Sequence, residues 1–447
     1  MTSQTKSLAV QLYRMTMPMI IGVLAIMSYQ LVDSAFIGQL GVKPLAAVGF
    51  TIPVYQLIIG IQVGIGIATT AVIAQALGAN KEDHARQLGT LVVAVGFLSI
   101  LLLCVLIWFN QEALLRLLGA EPELYPTVRE YWFPWLISAW LGAMLYFGYS
   151  IYRAQGHTKA PGVVMVVTSI INMILDPLFI FTFDMGIAGA AWATICAFLV
   201  GCVIIYPKIL AKHWVSLKLR LKENLSGLQQ LVAIMLPAMM SQFIPPISAM
   251  AATAIVAGYG ETVVAAWGLG TRLEFFSIIV VLALTMAMPP MVGRLRGAGE
   301  LDKIHLLVKI AVGFVFVWQL LIALIGIALA SPIGNLLTTD QTVSDILTDY
   351  LWRVPFSFGA LGICMIMVSV ANAMGKSMRA LSISALRLLC CYLPCLWLGS
   401  QLGGLNGMFL GALVGNVAAG IMSWVIYRKG MKKLKRAMAA EATLSKV

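Results

Sequence analysis

Two aspartates, Asp33 and Asp176, lie inside separate long apolar stretches of a chain in which 60% of the residues are hydrophobic. A carboxylate near the middle of a membrane helix costs roughly 2.5 to 3.5 kcal/mol on insertion scales, so it usually faces a protein interior or a water-filled cavity. Protonation or a bound cation would remove that cost. An acid close to the headgroups, or one held by hydrogen bonds for packing alone, is the competing explanation. Two such acids make cation handling the first functional hypothesis.

The composition indicates a polytopic membrane protein. Mean hydropathy is +0.93 and only 11% of the residues are charged, and apolar runs of about 20 residues, the length that crosses a bilayer, recur from end to end. They predict an all-α integral membrane fold with twelve transmembrane helices. The predicted bounds are about 11–37, 45–75, 88–109, 125–152, 161–183, 187–209, 229–257, 263–292, 303–329, 347–374, 379–400 and 405–428. The first run contains Pro18 and Asp33 and lacks a small-residue cleavage pattern, so we expect no cleavable signal peptide.

The net charge of +12 is concentrated in alternate predicted loops and in the carboxy-terminal tail. The loop residues are Lys81, Arg86, Arg153, Lys159, Lys208, Lys212, Lys218, Arg220, Lys222, Arg294, Arg296, Lys376 and Arg379. By the positive-inside rule these loops face the cytoplasm, so we expect both termini there and the chain in the inner (plasma) membrane. The distribution accounts for the charge without a nucleic-acid partner, and the basic tail is expected to meet anionic lipid headgroups.

Cysteine and histidine positions argue against metal chemistry and against an enzyme. All seven cysteines lie within apolar runs, where a free thiol behaves as a small hydrophobic group, so we expect no structural disulfide. Cys391 and Cys395 share a helix face, but no His or acid accompanies them. The four histidines lie in predicted inside loops or at their edges, and no HExxH or GxSxG motif occurs. No cofactor is expected beyond a coupling ion.

The two halves of the chain repeat one another. A glycine and alanine pattern beginning at Gly41 recurs 219 residues later, beginning at Gly260. Further matches at this offset are Pro18 with Pro237, Gly78 with Gly297 and Gly156 with Gly375, and Gly186 and Gly189 match Gly404 and Gly407 at an offset of 218. Each half therefore holds six predicted helices, and an even number makes both halves enter the membrane in the same direction.

This repeat predicts two pseudo-symmetric six-helix bundles with a central cleft, the architecture of alternating-access transporters. The predicted parts are an amino-terminal lobe at 1–207, a cytoplasmic inter-lobe linker at 208–228, a carboxy-terminal lobe at 229–428 and a basic cytoplasmic tail at 429–447. Duplicated lobes fit a transporter better than a channel. We expect a monomer that moves small organic substrates and contacts membrane lipids.

Polar residues of the amino-terminal lobe are predicted to share one layer. At ~1.5 Å per residue, Asp33 lies ~33 Å along the first helix and Asp176 roughly 22 Å along the fifth, both in the outer half of the bilayer. Tyr131 and Thr194 lie about 9 and 10 Å from the outer ends of their helices. Asn172 lies one turn before Asp176 and shares its helix face.

An amide, two acids and a hydroxyl can form an oxygen-lined cage for a hard monovalent cation such as sodium, or can hold a shared proton. The residues do not distinguish the two ions, although two acids in one apolar lobe favour the proton. An interhelical hydrogen bond for packing is the alternative for Asn172 and Thr194. Pro18 removes a backbone donor from the first helix and is a candidate hinge, with a static kink as the alternative.

The sequence resembles the multidrug and toxic compound extrusion (MATE) family, and more narrowly its DinF-like branch, over essentially the whole chain. The motifs that carry the resemblance are Val32-Asp33-Ser34-Ala35-Phe36-Ile37-Gly38, Gly41 to Gly49, Ala74 to Ala79, Gln155 to Lys159, Asn172 to Asp176, Gly189 to Thr194 and Arg272-Leu273-Glu274. The resemblance implies a V-shaped pair of six-helix bundles that exports organic, often cationic and amphipathic compounds in exchange for protons or sodium. The implied coupling residues are Asp33, Asn172, Asp176 and Thr194, with Tyr131 and Pro18 as neighbours.

The carboxy-terminal half departs from the NorM-like branch of that family. Ala252 stands at the repeat position of Asp33, and Gln242 rather than an acid lies in the seventh predicted helix, so coupling is expected in the amino-terminal lobe. Arg272 and Glu274 are two residues apart and are expected to contact other helices rather than each other, and Arg387 is ambiguous between packing and substrate contact. The alternative function is a lipid or lipid-linked sugar flippase on a related two-lobe fold.

Overall fold

The computed structural model describes residues 3–216 and 221–444, and these are almost entirely helical, with no strand in either range. The helices are α1 (Ser3–Gln39), α2 (Val42–Gly78), α3 (Glu82–Phe109), α4 (Gln111–Leu117), α5 (Tyr125–Ala154), α6 (Lys159–Pro177), α7 (Gly186–Ala211), α8 (Leu221–Ala257), α9 (Glu261–Ser277), α10 (Ile279–Gly297), α11 (Leu301–Ala328), α12 (Ala330–Leu337), α13 (Gln341–Arg353), α14 (Phe358–Ala373), α15 (Ser377–Ala385) and α16 (Leu393–Leu444). Residues 217–220 of the predicted linker, with Lys218 and Arg220, and residues 445–447 of the predicted tail lie outside the described residues.

The helices account for all twelve predicted membrane crossings. Ten described segments are long and apolar enough to cross a membrane, and one of them, Ser377–Met438, contains two crossings because non-helical Gly403 and Gly404 interrupt it. The crossing at Tyr125–Ala154 is rich in tyrosine and tryptophan, which lowers its hydropathy below that of the ten. The eighth crossing is broken in two, so its first part, Glu261–Ser277, has only 17 residues. The predicted all-α membrane fold is confirmed.

Helix interruptions are the main feature that hydropathy did not predict. Two segments have the wider π-helical turn: Leu178–Thr182, directly after α6, and Leu386–Tyr392, between α15 and α16. A short 3-10 turn, Val354–Ser357, joins α13 to α14. Wide turns of this kind often occur at functional sites.

The chain forms two compact units. The first unit consists of residues Tyr13–Met239 and Pro289–Gly297, and the second of Met1–Leu12, Met240–Met288 and Ala298–Val447. Each unit combines segments that contact one another but are separate in the sequence. The boundaries predicted for the lobes, linker and tail therefore stay predictions.

The backbone preserves the repeat at its turns. Gly41 precedes α2 with φ of 111°, and Gly260 precedes α9 with φ of 100°, a backbone conformation that is essentially restricted to glycine. The other pairs with positive φ at repeat positions are Asn80 with Gly299, Gly156 with Gly375, and Gly186 with Gly404. These paired turns of the two halves therefore share a positive backbone φ at equivalent positions.

Several cations predicted to lie in loops lie in the last turns of helices instead, among them Lys208, Arg294 and Arg296. Arg153 is such a cation and is also buried. It lies in the last turn of α5 and is only 3% exposed. Its Nη2 donates to Ser150 Oγ at 2.8 Å, and its guanidinium lies 5.2 Å from the centre of the Tyr146 ring. The loop assignment was wrong because the cation is accommodated by a hydroxyl and an aromatic face inside the protein, contacts that a count of loop charges does not include.

Candidate cation-coupling site

Four helices of the first unit supply the polar layer. Asp33 lies six residues before the end of α1 and Tyr131 six residues after the start of α5. Asp176 is the next-to-last residue of α6, and Thr194 lies eight residues after the start of α7. At ~1.5 Å per residue, Asp33, Tyr131 and Thr194 are about 9 to 12 Å from those helix ends.

One hydrogen bond joins α6 to α7 inside this layer. Asn172 Nδ2 donates to Thr194 Oγ1 at 3.0 Å, and Thr194 Oγ1 donates in turn to the carbonyl oxygen of Ala190 at 3.0 Å. The hydroxyl therefore serves as acceptor and donor at once. This is the interhelical hydrogen bond that the packing alternative predicted for Asn172 and Thr194. Their role in coupling stays a prediction.

The two carboxyl groups differ in burial but belong to one electrostatic group. Asp176 is fully buried and Asn172 is 2% exposed, whereas Asp33 is half-buried. Asp33 and Asp176 lie within electrostatic range of each other and of the Tyr131 hydroxyl. Tyr131 is itself buried and stacks on Trp135 at 6.5 Å between ring centres. The predicted layer is therefore a single cluster of polar groups in an apolar surrounding.

The cluster has more acceptors than donors. Asp33 Oδ1, both carboxyl oxygens of Asp176, and Asn172 Oδ1 are buried and accept no hydrogen bond from any described residue. A buried acceptor without a donor costs about 1 to 3 kcal/mol, and more if it carries charge. A proton on a carboxyl group, or a small cation shared between these oxygens, would offset this cost.

Two tyrosines belong to the cluster but were not predicted from the sequence. The hydroxyl of Tyr29 lies within electrostatic range of Asp33, Asp176 and Tyr55. Tyr29 precedes Asp33 by one helical turn, which places both side chains on one face of α1. That spacing was the available signal, but a tyrosine in an apolar helix is common enough that spacing alone does not distinguish it.

An apolar cluster covers the polar layer near the end of α1. Ile37, Ile180 and Ala190 are at most 2% exposed and pack together. Phe36 and Phe181 extend this cover with an edge-to-face contact at 6.0 Å between ring centres. Phe36 and Ile37 follow Asp33 within about one turn, so apolar side chains lie between Asp33 and the end of α1.

Pro18 lies inside the continuous helix α1. Its backbone approaches α6 so closely that a Cβ atom added at Gly162 would overlap the Pro18 carbonyl oxygen. One turn further along α1, a Cβ at Gly22 would lie 2.7 Å from Met165 Sδ. Glycine thus allows α1 and α6 to touch along their backbones, and the predicted hinge role of Pro18 stays a prediction.

The cluster suits a monovalent ion. No group of three or more His, Cys, Asp or Glu side chains within the described ranges is positioned to hold a metal ion. Two carboxyl groups, an amide oxygen and a hydroxyl are hard oxygen donors, which fit a proton or a sodium ion. These donors belong to Asp33, Asn172, Asp176 and Thr194, the residues predicted for sodium.

In the second unit, Glu274 of α9 contacts side chains of other helices. Tyr350 Oη donates to Glu274 Oε2 at 3.3 Å, and Arg387, in the π-helical segment before α16, lies within electrostatic range of Glu274. Tyr350 also packs edge-to-face on Trp267 and on Phe409, at 5.7 and 5.6 Å between ring centres. Glu274 therefore has the contacts to other helices that its spacing from Arg272 predicted. Its neighbouring cation, Arg387, has no counterpart beside Asp33 or Asp176 among the described residues.

Comparison with known proteins identifies relatives of the whole chain. The family model described as MatE matches residues 18–178 and again residues 237–397. The two matches begin and end at the 219-residue offset of the internal repeat, so each half of the chain is one copy of the same module.

Individual relatives cover nearly the full length. The chain is 31% identical to a protein named FAD transporter from Shewanella oneidensis over 96% of each chain. It is 23% identical to the multidrug export protein MepA of Staphylococcus aureus over 92% of this chain and 91% of that protein. A crystal structure of the Vibrio cholerae MATE transporter VcmN in the bent form superposes with a TM-score of 0.95 at 54% identity, covering 97% of this chain and 99% of that one.

Proposed function

Because the chain belongs to the MatE family of membrane transporters, we propose that it is a secondary active multidrug exporter driven by cation antiport. As a member of that family it is an integral membrane protein and a transporter, not an enzyme. The proposed substrates are organic, often cationic and amphipathic compounds, moved by alternating access. We propose the inner membrane as its location, with both termini in the cytoplasm.

One observation carries the assignment of the coupling site: four buried side-chain oxygens of Asp33, Asn172 and Asp176 have no donor among the described residues. A site that alternately takes up and releases a cation needs such oxygens. A bound cation offsets the cost of the buried charge. After the cation is released, conformations that expose the carboxyl groups to water become more favourable. Protonation can therefore change the conformation that is favoured.

We propose the proton as the coupling ion. Two carboxyl groups in one electrostatic cluster share a proton readily, because the second negative charge is unfavourable beside the first. The Thr194 hydroxyl already donates to the carbonyl oxygen of Ala190 and accepts from Asn172. One of its two lone pairs is thus engaged, which weakens it as a sodium ligand.

The test is efflux of a fluorescent organic cation from proteoliposomes under an imposed pH gradient and, separately, under a sodium gradient. Wild type, Asp33→Asn and Asp176→Asn would be compared with Asp184→Asn as the matched control. Asp184 is an exposed acid in the turn before α7, so its substitution changes the net charge equally without entering the cluster. We expect efflux driven by pH, lost in the two cluster variants and retained in the control.

Other outcomes reassign the site. Efflux driven by sodium alone, and lost in the same two variants, would make the cluster a sodium cage. Retention of pH-driven efflux in Asp33→Asn and Asp176→Asn would remove coupling from this cluster. No efflux of any organic cation under either gradient would favour the lipid or lipid-linked sugar flippase.

The relative named FAD transporter, at 31% identity over 96% of both chains, supports a second candidate substrate. FAD is a dinucleotide with a negatively charged diphosphate, the opposite charge from the organic cations. The same proteoliposomes loaded with FAD separate the two candidates. Faster pH-driven loss of FAD than of the fluorescent cation would assign the dinucleotide as substrate, with the same Asp33 and Asp176 dependence.

A further inference from the structure

An apolar groove lies on the surface of the first unit between α3 and α5. It has a volume of about 180 Å³ and apolar and aromatic walls. Trp108 packs against Phe133 at 5.3 Å and Trp140 packs against Phe97 at 5.0 Å between ring centres. These contacts fix the walls from both ends, so the groove is preformed.

The floor of the groove is buried and its sides are open. Cys104 is 6% exposed, and its thiol donates to the carbonyl oxygen of Leu136 at 3.6 Å, a contact that ties α3 to α5. Phe133, Val105 and Leu101 on the sides are 50%, 41% and 37% exposed. In a membrane protein, apolar side chains exposed at this depth face lipid chains and not water.

The groove runs from the membrane interface towards the bilayer centre. Trp108 lies in the last turn of α3, and Leu101 lies eight residues before the end of that helix, about 12 Å deeper at ~1.5 Å per residue. Half of a hydrocarbon core is roughly 15 Å thick. The groove therefore has the length and the orientation of one acyl chain in a single leaflet.

A cation stands at the interfacial end of the groove. The Arg129 guanidinium lies 5.7 Å from the centre of the Trp108 ring. Arg129 is exposed, in the second turn of α5, at the depth where headgroups begin. An arginine at the mouth attracts a phosphate and disfavours a cationic amphiphile, so the charge distinguishes a phospholipid from the organic cations of the proposed transport function.

We propose that this groove is a phospholipid site, in which one acyl chain lies along the aromatic wall and the headgroup phosphate binds Arg129. By the predicted topology the lipid belongs to the outer leaflet. An anionic headgroup is preferred because it carries a net negative charge. In a zwitterionic lipid, the amine of the headgroup balances the charge of the phosphate. The site is separate from the polar cluster around Asp176.

The test uses the full-length protein in nanodiscs that contain a small fraction of phosphatidylglycerol with a photoactivatable diazirine in its acyl chain. Illumination is followed by peptide mapping of the attached lipid. We expect labelling concentrated in residues 101–109 and 133–140. One headgroup contact to arginine contributes on the order of 1 kcal/mol, so Arg129→Gln should lower this labelling by about fivefold.

Matched variants separate the site from general lipid contact. Arg129→Lys keeps the positive charge and should retain most labelling, and Arg116→Gln removes an exposed arginine of α4 that does not line the groove and should leave it unchanged. Ile137→Trp fills the groove and should abolish labelling there, whereas Leu98→Trp on the exposed face of α3 should not.

Three results would overturn the proposal. Labelling spread evenly over all lipid-facing helices would mean an ordinary annular contact. Labelling of the groove that is insensitive to Arg129→Gln would exclude headgroup recognition. Stronger labelling by a diazirine alkylammonium probe than by the phosphatidylglycerol probe would assign the groove to cationic amphiphiles instead.

Discussion

The geometry of the polar layer depends most directly on Thr194, through its hydroxyl group. It accepts the only described hydrogen bond of the buried Asn172 side chain and anchors itself to Ala190 one turn earlier. Asn172 precedes Asp176 by one turn, so an amide held by α7 also fixes the rotation of α6 that presents the carboxyl group.

Thr194→Val keeps the shape of the side chain but leaves Asn172 Nδ2 buried without an acceptor. The expected cost is about 1 to 3 kcal/mol of unfolding free energy, together with weaker coupling. Thermal unfolding in detergent checks the first effect and efflux the second. Thr69→Val is the control, because buried Thr69 only donates to Ile65 of its own helix at 2.7 Å. A Thr194→Val variant as stable as the control would contradict this account.

His157 gives a second prediction at the scale of one residue. It lies between α5 and α6, stacked on Trp214 at 5.5 Å between ring centres. Lys212 Nζ lies 4.6 Å from the centre of the same ring. Burial, followed by the charges of Lys212 and Arg294, lowers the pKa of His157 below its ordinary value.

A lowered pKa means that the unfolded chain binds a proton before the folded protein does. Stability contributed by neutral His157 is therefore present at and above the ordinary histidine pKa of about 6.5 and is lost as the pH falls below it. We expect His157→Phe, which keeps the ring, to show a smaller fall in Tm between pH 7.5 and pH 5 than wild type. His84→Phe on α3 is the control, and an equal fall in all three proteins would exclude His157 as a source.

Element-scale packing depends on close backbone contact between α1 and α6. Hydropathy predicted both helices and the depth of Asp33 and Asp176 along them, because apolar length and residue counts are properties of the sequence. It did not predict which helix faces touch. That depends on Gly162 lying opposite Pro18, a tertiary match that no local pattern contains.

Gly162→Ala should separate these helices. Its Cβ would overlap the Pro18 carbonyl oxygen, and overpacking of this kind costs about 1 to 3 kcal/mol. Gly38→Ala in α1 is the matched control, because no heavy atom lies within 4 Å of a Cβ there. We expect lower thermal stability and slower efflux for Gly162→Ala only. Similar behaviour of the two variants would show that the contact is not tight in the working protein.

At the scale of the whole molecule, the repeat was visible in the sequence and is repeated in the backbone. The 219-residue offset predicted from scattered glycines recurs in paired turns with positive φ and in the two matches of the MatE family model. The acidic side chain of Asp33 is not repeated, because Ala252 stands at the equivalent position of the second half. Backbone geometry is shared because every copy of the fold needs it, whereas the proposed coupling acid Asp33 occurs in one half only.

Gly41 and Gly260 test the equivalence of the halves. Neither would place a Cβ within 4 Å of another atom, so Gly→Ala at either position acts through backbone strain alone. Each substitution should cost about 1 to 3 kcal/mol, and the two effects should be similar. Unfolding of the single variants and of the double variant measures this, and a large cost at only one position would mean that the halves are not equivalent at this turn.

The wide turn at Leu178–Thr182 contains one residue more than an α-helix needs, and it begins two residues after Asp176. Such an extra residue is not tied to one location: if the wide turn shifted towards the start of α6, every side chain it passed would rotate by about 100° around the helix axis. Asp176 would then point to a different neighbour while both ends of the helix kept their places. A small register shift within a single helix is thus a mechanical alternative to bending for redirecting a carboxyl group towards a different neighbour.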